Sequence, residues 1–304
     1  MKKVLVLYYS QSGQMKKMVN FVTQPLQESS EIKVDYRKIK PLNKYPYPWP
    51  FYPFFDAFPE AIFMNGCEVA PLEDLEDKYD LIILGYTVWF LSPSIPVTGF
   101  MQSEQAKSIF KDKPVVTLIA CRDMWVMAQE KMKVLIKDLG ANLVDNVVLT
   151  DQGGSVYAFL TTPRWLLTGK KDPFWGLPAA GVSQKDLEES RRFGVRLLEG
   201  LQKGEEKLKV PMLKKMGAVS VNGKLVGAEK IGTRSFMVWG KLIQAAGKPG
   251  AFMRKIVITI YALFLALLVL TIVPLNIIVR RLIYPFRKEA IEKSVRYYEE
   301  PSGR

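Results

Sequence analysis

The 304-residue sequence has no histidine and only two cysteines, Cys67 and Cys121. Without imidazole, His-based acid–base catalysis, Ser-His-Asp and Cys-His nucleophiles and most catalytic zinc sites are excluded. Two cysteines cannot make a disulfide framework, and they lack metal-motif spacing; this usage fits a reducing cytosol. Two phosphate-binding glycine patterns are also missing. The absence of Gly-x-x-x-x-Gly-Lys-Ser/Thr rules out a Walker P-loop, and the absence of Gly-x-Gly-x-x-Gly disfavours a dinucleotide fold. No internal repeat is visible. Residues 1–204 carry almost no charge excess, with 25 Lys+Arg against 23 Asp+Glu, so most of the formal +13 belongs to residues 205–304.

What is present is a core and a rhythm. Apolar residues make up 48% of the chain, enough for a full hydrophobic interior. Val4–Tyr9 is a short apolar run, expected as a strand buried on both faces rather than a signal peptide, because Ser10-Gln11-Ser12-Gly13 ends it. Met15, Met18, Val19, Val22 and Leu26 follow at helical spacing, with Pro25 expected to end or kink that helix. Ile32–Tyr36 alternates like an edge strand. Leu81–Leu84, Pro114–Ala120 and Val144–Leu149 read as further strands, with helices expected over Phe100–Phe110, Met127–Leu139 and from Ser183 to residue 204. Gly140 is the expected residue just past a helix end, and Ser183 with Asp186 resembles a capping box. Alternating strands and helices of this kind imply an α/β fold with a parallel sheet and helices on both faces. Two segments break the rhythm. Residues 41–64 interleave prolines with aromatics and are expected as an ordered insertion without regular structure, packed on the domain or facing a lipid or ligand. Residues 151–182 are expected as a long loop, rich in glycine, proline and aromatics.

The C-terminal third differs in character. Residues 205–304 hold 18 Lys+Arg against 7 Asp+Glu, an excess that suits anionic lipid, while nucleic-acid binding is disfavoured because no recognition motif is present. Residues 205–254 read as a basic linker, with an Asn222-Gly223 hairpin signal and an amphipathic stretch over 234–247. Ile256–Val279 then runs without one charge. As a helix it is about 36 Å long, enough to cross a bilayer. Basic residues flank both ends, Lys241, Lys248, Arg254 and Lys255 before it and Arg280, Arg281, Arg287 and Lys288 after it. The positive-inside rule therefore does not choose between a simple span and a kinked helix that enters and leaves one leaflet.

The chemistry is expected in turns that leave strands. Tyr8-Tyr9-Ser10-Gln11-Ser12-Gly13-Gln14-Met15 joins the first strand to the first helix. Backbone N–H groups, the Ser10 and Ser12 hydroxyls and the helix N-terminus suit a terminal phosphate, and Gly13 permits a left-handed or close backbone approach. An ordinary strand-to-helix turn is the competing reading. This turn resembles the phosphate loop of flavodoxin-like FMN proteins, Ser/Thr-x-Thr-Gly-x-Thr, with Ser12 in place of a threonine and Met15 in place of the last one. Gly85-Tyr86-Thr87-Val88-Trp89-Phe90 is similar to that family's loop beside the isoalloxazine, with Thr87 where proline is common and Trp89 placed to flank the ring. Cys121-Arg122-Asp123-Met124-Trp125 falls where the last flavin loop lies, and Arg122 would reach flavin O2 or a substrate oxygen, or else pair with Asp123.

The resemblance covers residues 1–204 and implies a flavodoxin-like five-stranded parallel sheet that binds FMN. The Leu-Tyr-Tyr-Ser-Gln-Ser-Gly-Gln opening and the C-terminal apolar segment also resemble the bacterial dialkylresorcinol condensing enzyme group. That likeness implies a membrane-associated, FMN-dependent oxidoreductase on the cytoplasmic face of the inner membrane. Its lipophilic substrate would be a dialkyl-cyclohexane-1,3-dione, aromatised to a resorcinol. Two alternatives stay open: a tethered electron carrier serving a quinone or reductase, and a scaffold that has lost FMN. No residue stands out as the catalytic base.

Overall fold

The computed structural model describes residues 1–300, and within them every side chain except those of residues 155–156 and 272–287. Residues 301–304 of the basic tail, and the side chains of the apolar segment from residue 272 on, lie outside the described residues. Six strands form among the described residues: β1 (Lys2–Tyr8), β2 (Ile32–Lys38), β3 (Leu81–Trp89), the two-residue β4 (Ser92–Pro93), β5 (Pro114–Cys121) and β6 (Asn142–Thr150). Five are parallel in the order β2-β1-β3-β5-β6, and β4 folds back antiparallel on the end of β3. This is the flavodoxin-like order of the doubly wound α/β class.

Both faces of the central strands are covered, which explains their continuous apolar runs. In β1, Leu5 and Leu7 join one buried cluster while Val4 and Val6 join the other. β3 divides in the same way, with Ile82 and Leu84 on one side and Leu81 and Ile83 on the other. The second face is packed by α1 (Gln14–Glu28), whose buried stripe is Met15, Met18, Val19, Val22 and Leu26. Helix α1 continues through Pro25 rather than ending there. The later helix at Gly194 approaches so closely that a Cβ there would sit 1.9 Å from the Val22 carbonyl oxygen, and this packing holds the turn in place.

Several segments differ from expectation for local reasons. The insertion over residues 41–64 contains α2 (Phe51–Asp56) and α3 (Phe58–Ile62). Pro53 and Pro59 fall in their first turns, where a missing N–H costs nothing. The helix expected over Phe100–Phe110 is two, α4 (Ile95–Met101) and α5 (Glu104–Phe110), because the Ser103 hydroxyl accepts the Ala106 N–H at 3.1 Å and starts a new one. Helix α6 (Val126–Asp138) lies close to its expected span, and Gly140 takes φ 70° beyond its end. Residues 151–182 are not a structureless loop: α7 (Gly154–Thr168) occupies much of them. The helix from Ser183 is broken into α8 (Gln184–Glu189) and α9 (Arg191–Lys203), with Ser183 accepting the Asp186 N–H at 3.0 Å as a cap.

Residues 205–254 do not form a free linker or a hairpin. Met212 and Leu213 are buried, and their N–H groups donate to the buried Asp145 carboxylate at 2.8 and 3.0 Å. Asn222 caps α10 (Gly223–Ala245) by accepting the Lys224 N–H, so the Asn-Gly pair starts a helix instead of turning a hairpin. The last element, α11 (Phe252–Glu299), is a 48-residue helix containing the apolar segment. One stretch of it, Phe252–Thr271, is long and apolar enough to cross a membrane, and 17% of its apolar window is buried within the protein.

Candidate functional site

The three turns singled out in sequence meet in space. A cavity of about 330 Å³ opens beyond the C-terminal ends of β1, β3 and β5, where ligands bind in open α/β sheets. The first turn contributes Ser10, Gln11, Ser12, Gln14 and Met15. From the end of β3 come Thr87, Val88, Trp89, Phe90 and Leu91, and from the end of β5 come Ala120, Cys121, Arg122 and Met124. Gly13, Tyr86 and Asp123 do not line it. Tyr86 is fully buried beneath, donating to Gln129 Oε1 at 2.5 Å. Gln129 donates in turn to the Thr117 hydroxyl and Thr117 to Asn146, a closed polar chain under the floor. Asp123 lies to the side and accepts a 3.5 Å contact from the Asn222 amide.

The first turn leaves the start of α1 open. Gly13 adopts φ 88° and has no side chain to cap the helix, and no acidic residue occupies the first turn. The Ser10 hydroxyl accepts the Lys16 N–H at 3.2 Å, which leaves its own O–H free to donate. Gln11 ties this turn to the proline-rich insertion: its amide donates to the Pro46 carbonyl at 2.7 Å and accepts the Trp49 indole N–H at 3.2 Å. Gln14 Oε1 accepts the Val182 N–H at 3.0 Å.

Trp89 sits among Tyr9, Tyr45 and Trp49, with ring centroids 5.9, 5.1 and 5.3 Å away in edge-on contacts. The expected ring-flanking residue is therefore held by an aromatic cage, two of its three members from the insertion. Across the cavity, Arg122 is the charged feature. Its guanidinium carbon lies 4.0 Å from the centroid of Phe159 on α7, and its buried Nε has no hydrogen-bond partner. Burial lowers its pKa from the usual guanidinium value, opposed by the nearby Asp123 and Asp151 carboxylates. Asp151 is the one carboxylate among the described residues lining the cavity; it accepts the Gly153 and Gly181 N–H groups at 2.8 and 2.5 Å. Burial raises its pKa, and these two bonds counter the rise. The Thr87 and Thr162 hydroxyls are also buried without partners. Burial pushes the Cys121 thiol well above its ordinary value, so it stays protonated and behaves as a core residue.

Further lining residues lie outside the three turns: Trp49 and Phe54 from the insertion that was expected to face the domain, a lipid or a ligand, Phe159, Thr162, Trp165 and Leu166 from α7, and Phe236 from α10. The signal for α7 was present, since residues 159, 162 and 166 fall at helical spacing. Phe236 carried no local signal, because α10 reaches the cavity only through the tertiary fold.

No family model matches this chain, and no curated protein matches it. Among solved structures, it is similar to a flavoprotein in complex with FMN from Lactobacillus acidophilus NCFM, at 22% identity and TM-score 0.39, covering 49% of this chain and 93% of that one. A flavodoxin from the domain Archaea is 15% identical with TM-score 0.39, covering 66% of this chain and 99% of that one. A flavone reductase is 10% identical with TM-score 0.37, covering 67% of this chain and 64% of that one. These overlaps are partial; strand order and register, not these likenesses, define the chain as a flavodoxin-like α/β protein.

Proposed function

We propose that this protein binds FMN in the cavity beyond β1, β3 and β5 and acts as a membrane-associated oxidoreductase on a lipophilic substrate. The observation that carries the reading is the convergence of three separate turns on one cavity, which is lined by Arg122 with its buried, unpartnered Nε and borders a helix start with no acidic residue in its first turn. The residues fit the group. The Ser10 and Ser12 hydroxyls and the N–H groups opening α1 would hold the phosphate. Arg122 Nε and the Thr87 hydroxyl are the orphaned donors that a ring carbonyl or phosphate oxygen would satisfy. When bound, FMN supplies a two-electron acceptor that takes hydride from a substrate carbon.

The chain's own residues would shape the rest. One wall is apolar, formed by Phe54, Phe90, Leu91 and Phe236. It continues as a line of aromatic contacts toward the membrane-span candidate: Phe90 to Phe58 at 5.1 Å and Phe58 to Tyr261 of α11 at 4.7 Å. This supports a greasy substrate that reaches the cavity from lipid, at the cytoplasmic face of a bacterial inner membrane. The finer reading is aromatisation of a dialkyl-cyclohexane-1,3-dione to a dialkylresorcinol. The α-protons of such a dione are already acidic, so the absence of histidine is no obstacle; Asp151, within the cavity, would take the proton.

The test is an absorption spectrum of the full chain purified in detergent, with and without added FMN. A bound yellow chromophore, and resorcinol formed from the dione under air, are the expected results. Colourless protein after FMN addition would overturn the reading.

A further inference from the structure

We propose that α11 does not carry the chain across the membrane but enters and leaves it on one side, anchoring the protein monotopically. This rests on the membrane reading above and adds the topology that the sequence leaves open. The observation is that both ends of α11 dock on the same domain.

At its start, Arg254 is buried and donates to the Asp56 carboxylate at 2.5 Å, to the Asp56 carbonyl at 2.7 Å and to Glu60 at 2.8 Å. Two turns further, Tyr261 stacks on Phe58 and lies 5.2 Å from Trp239 of α10. At the far end, Val295 and Tyr298 pack on the main core, the Lys230 ammonium of α10 lies 5.7 Å from the Tyr298 ring, and Lys133 of α6 lies 5.2 Å from Tyr297. Gly223, at the opposite end of α10 from Trp239, faces Ile291 and Val295.

A straight helix cannot satisfy these contacts. From Tyr261 to Tyr298 it would extend about 56 Å. Their partners Trp239 and Lys230 are about 14 Å apart along α10. Side chains and gaps at the two contacts add roughly 30 Å even at full stretch. The helix axis therefore bends between Tyr261 and Tyr298, bringing both ends to the one domain.

A chain that crosses a bilayer has its flanks separated by about 30 Å of hydrocarbon. One folded domain with a charged surface cannot hold both. The described apolar limb faces outward, with Ile260, Leu263, Leu267 and Leu270 all exposed, so lipid is its fitting cover. Lys255 and Lys288, which flank the apolar stretch on its two sides, would then lie on the same face of the bilayer, where anionic headgroups favour them.

The test uses the full chain carrying Cys67→Ser, reconstituted in vesicles containing phosphatidylglycerol, with one exposed reporter at a time: Ser108→Cys on the α/β domain or Lys293→Cys near the end of α11. A membrane-impermeant maleimide is added before and after detergent. Equal labelled fractions at the two positions before detergent are expected. Protection of Lys293→Cys in vesicles where Ser108→Cys is labelled, relieved only by detergent, would overturn monotopic insertion while leaving membrane binding intact. Protein that fails to float with the vesicles would overturn the membrane reading and this proposal with it.

Discussion

At the scale of single residues, the site turns on a few groups that burial has left short of partners. Arg122 is the sharpest case. Its Nε is buried and unpartnered, so a bound oxygen there replaces nothing and gains a charge-assisted bond. Arg122→Ala is expected to weaken FMN binding by roughly 10- to 100-fold, the range of about 1.5–3 kcal/mol for a hydrogen bond to a charged group; quenching of flavin fluorescence on titration measures it. Glu229 gives a pH signature. It is buried on α10 and accepts the Met127 N–H opening α6 at 2.9 Å, yet burial pushes its pKa to about 7. The folded protein therefore holds this proton over a window in which the unfolded chain has released it, so stability falls as pH rises from the ordinary glutamate range to about 7. Glu229→Gln keeps an acceptor for Met127. It is expected to flatten part of that slope and to raise the melting temperature at pH 8. Asp145, whose pKa burial also raises to about 7, and Asp151, likewise raised by burial, contribute to the remaining slope. Legibility at this scale was uneven. Ser10 and Arg122 stood out because their turns directly follow apolar strands, whereas Asp151 and Glu229 depend on neighbours far away in sequence.

At the scale of elements, the periodic segments were readable and the proline-rich ones were not. Strands β1, β3 and β5 announced themselves because both faces are buried, and α1 because one apolar stripe recurs every three to four residues. The insertion and α7 were obscured by Pro53, Pro59 and Pro163, which read as breakers although two of them occupy first turns. The Asn-Gly pair misled in the other direction, since asparagine serves helix starts as readily as hairpins. These same elements roof the cavity. Trp165 of α7 is nearly buried and lines it. Trp165→Ala is expected to cost about 3–5 kcal/mol of stability, as for other large-to-small changes in a core, and to open the cavity to water. Thermal denaturation measures the first effect, and faster quenching of bound flavin by iodide the second.

For the whole molecule, the charge asymmetry and the packing of the C-terminal third belong together. Residues 205–304 hold most of the basic excess, yet Met212, Leu213, Val221 and Val226 are core residues. The described start of the basic third, residues 212–226, is thus packed into the folded body. Binding to anionic vesicles is expected to be strong at low salt and to weaken several-fold toward 0.5 M salt on first contact, because surface attraction is screened at roughly 1 kcal/mol per basic residue. Sedimentation of freshly mixed protein with vesicles checks this. A chain ending at residue 250 is expected to lose vesicle binding and to lose stability as well, since it removes Tyr261 and Val295 from their packing sites.

The Gln11 bridge has one further consequence. Its amide donates to the Pro46 carbonyl and accepts the Trp49 indole N–H, while the Trp49 backbone N–H donates to the Leu166 carbonyl of α7 at 2.8 Å. The phosphate turn, the insertion and the roof are therefore latched in series, and no one of them can swing aside alone. A cofactor seated beneath this latch would be slow to leave, and prolonged dialysis would strip little of it.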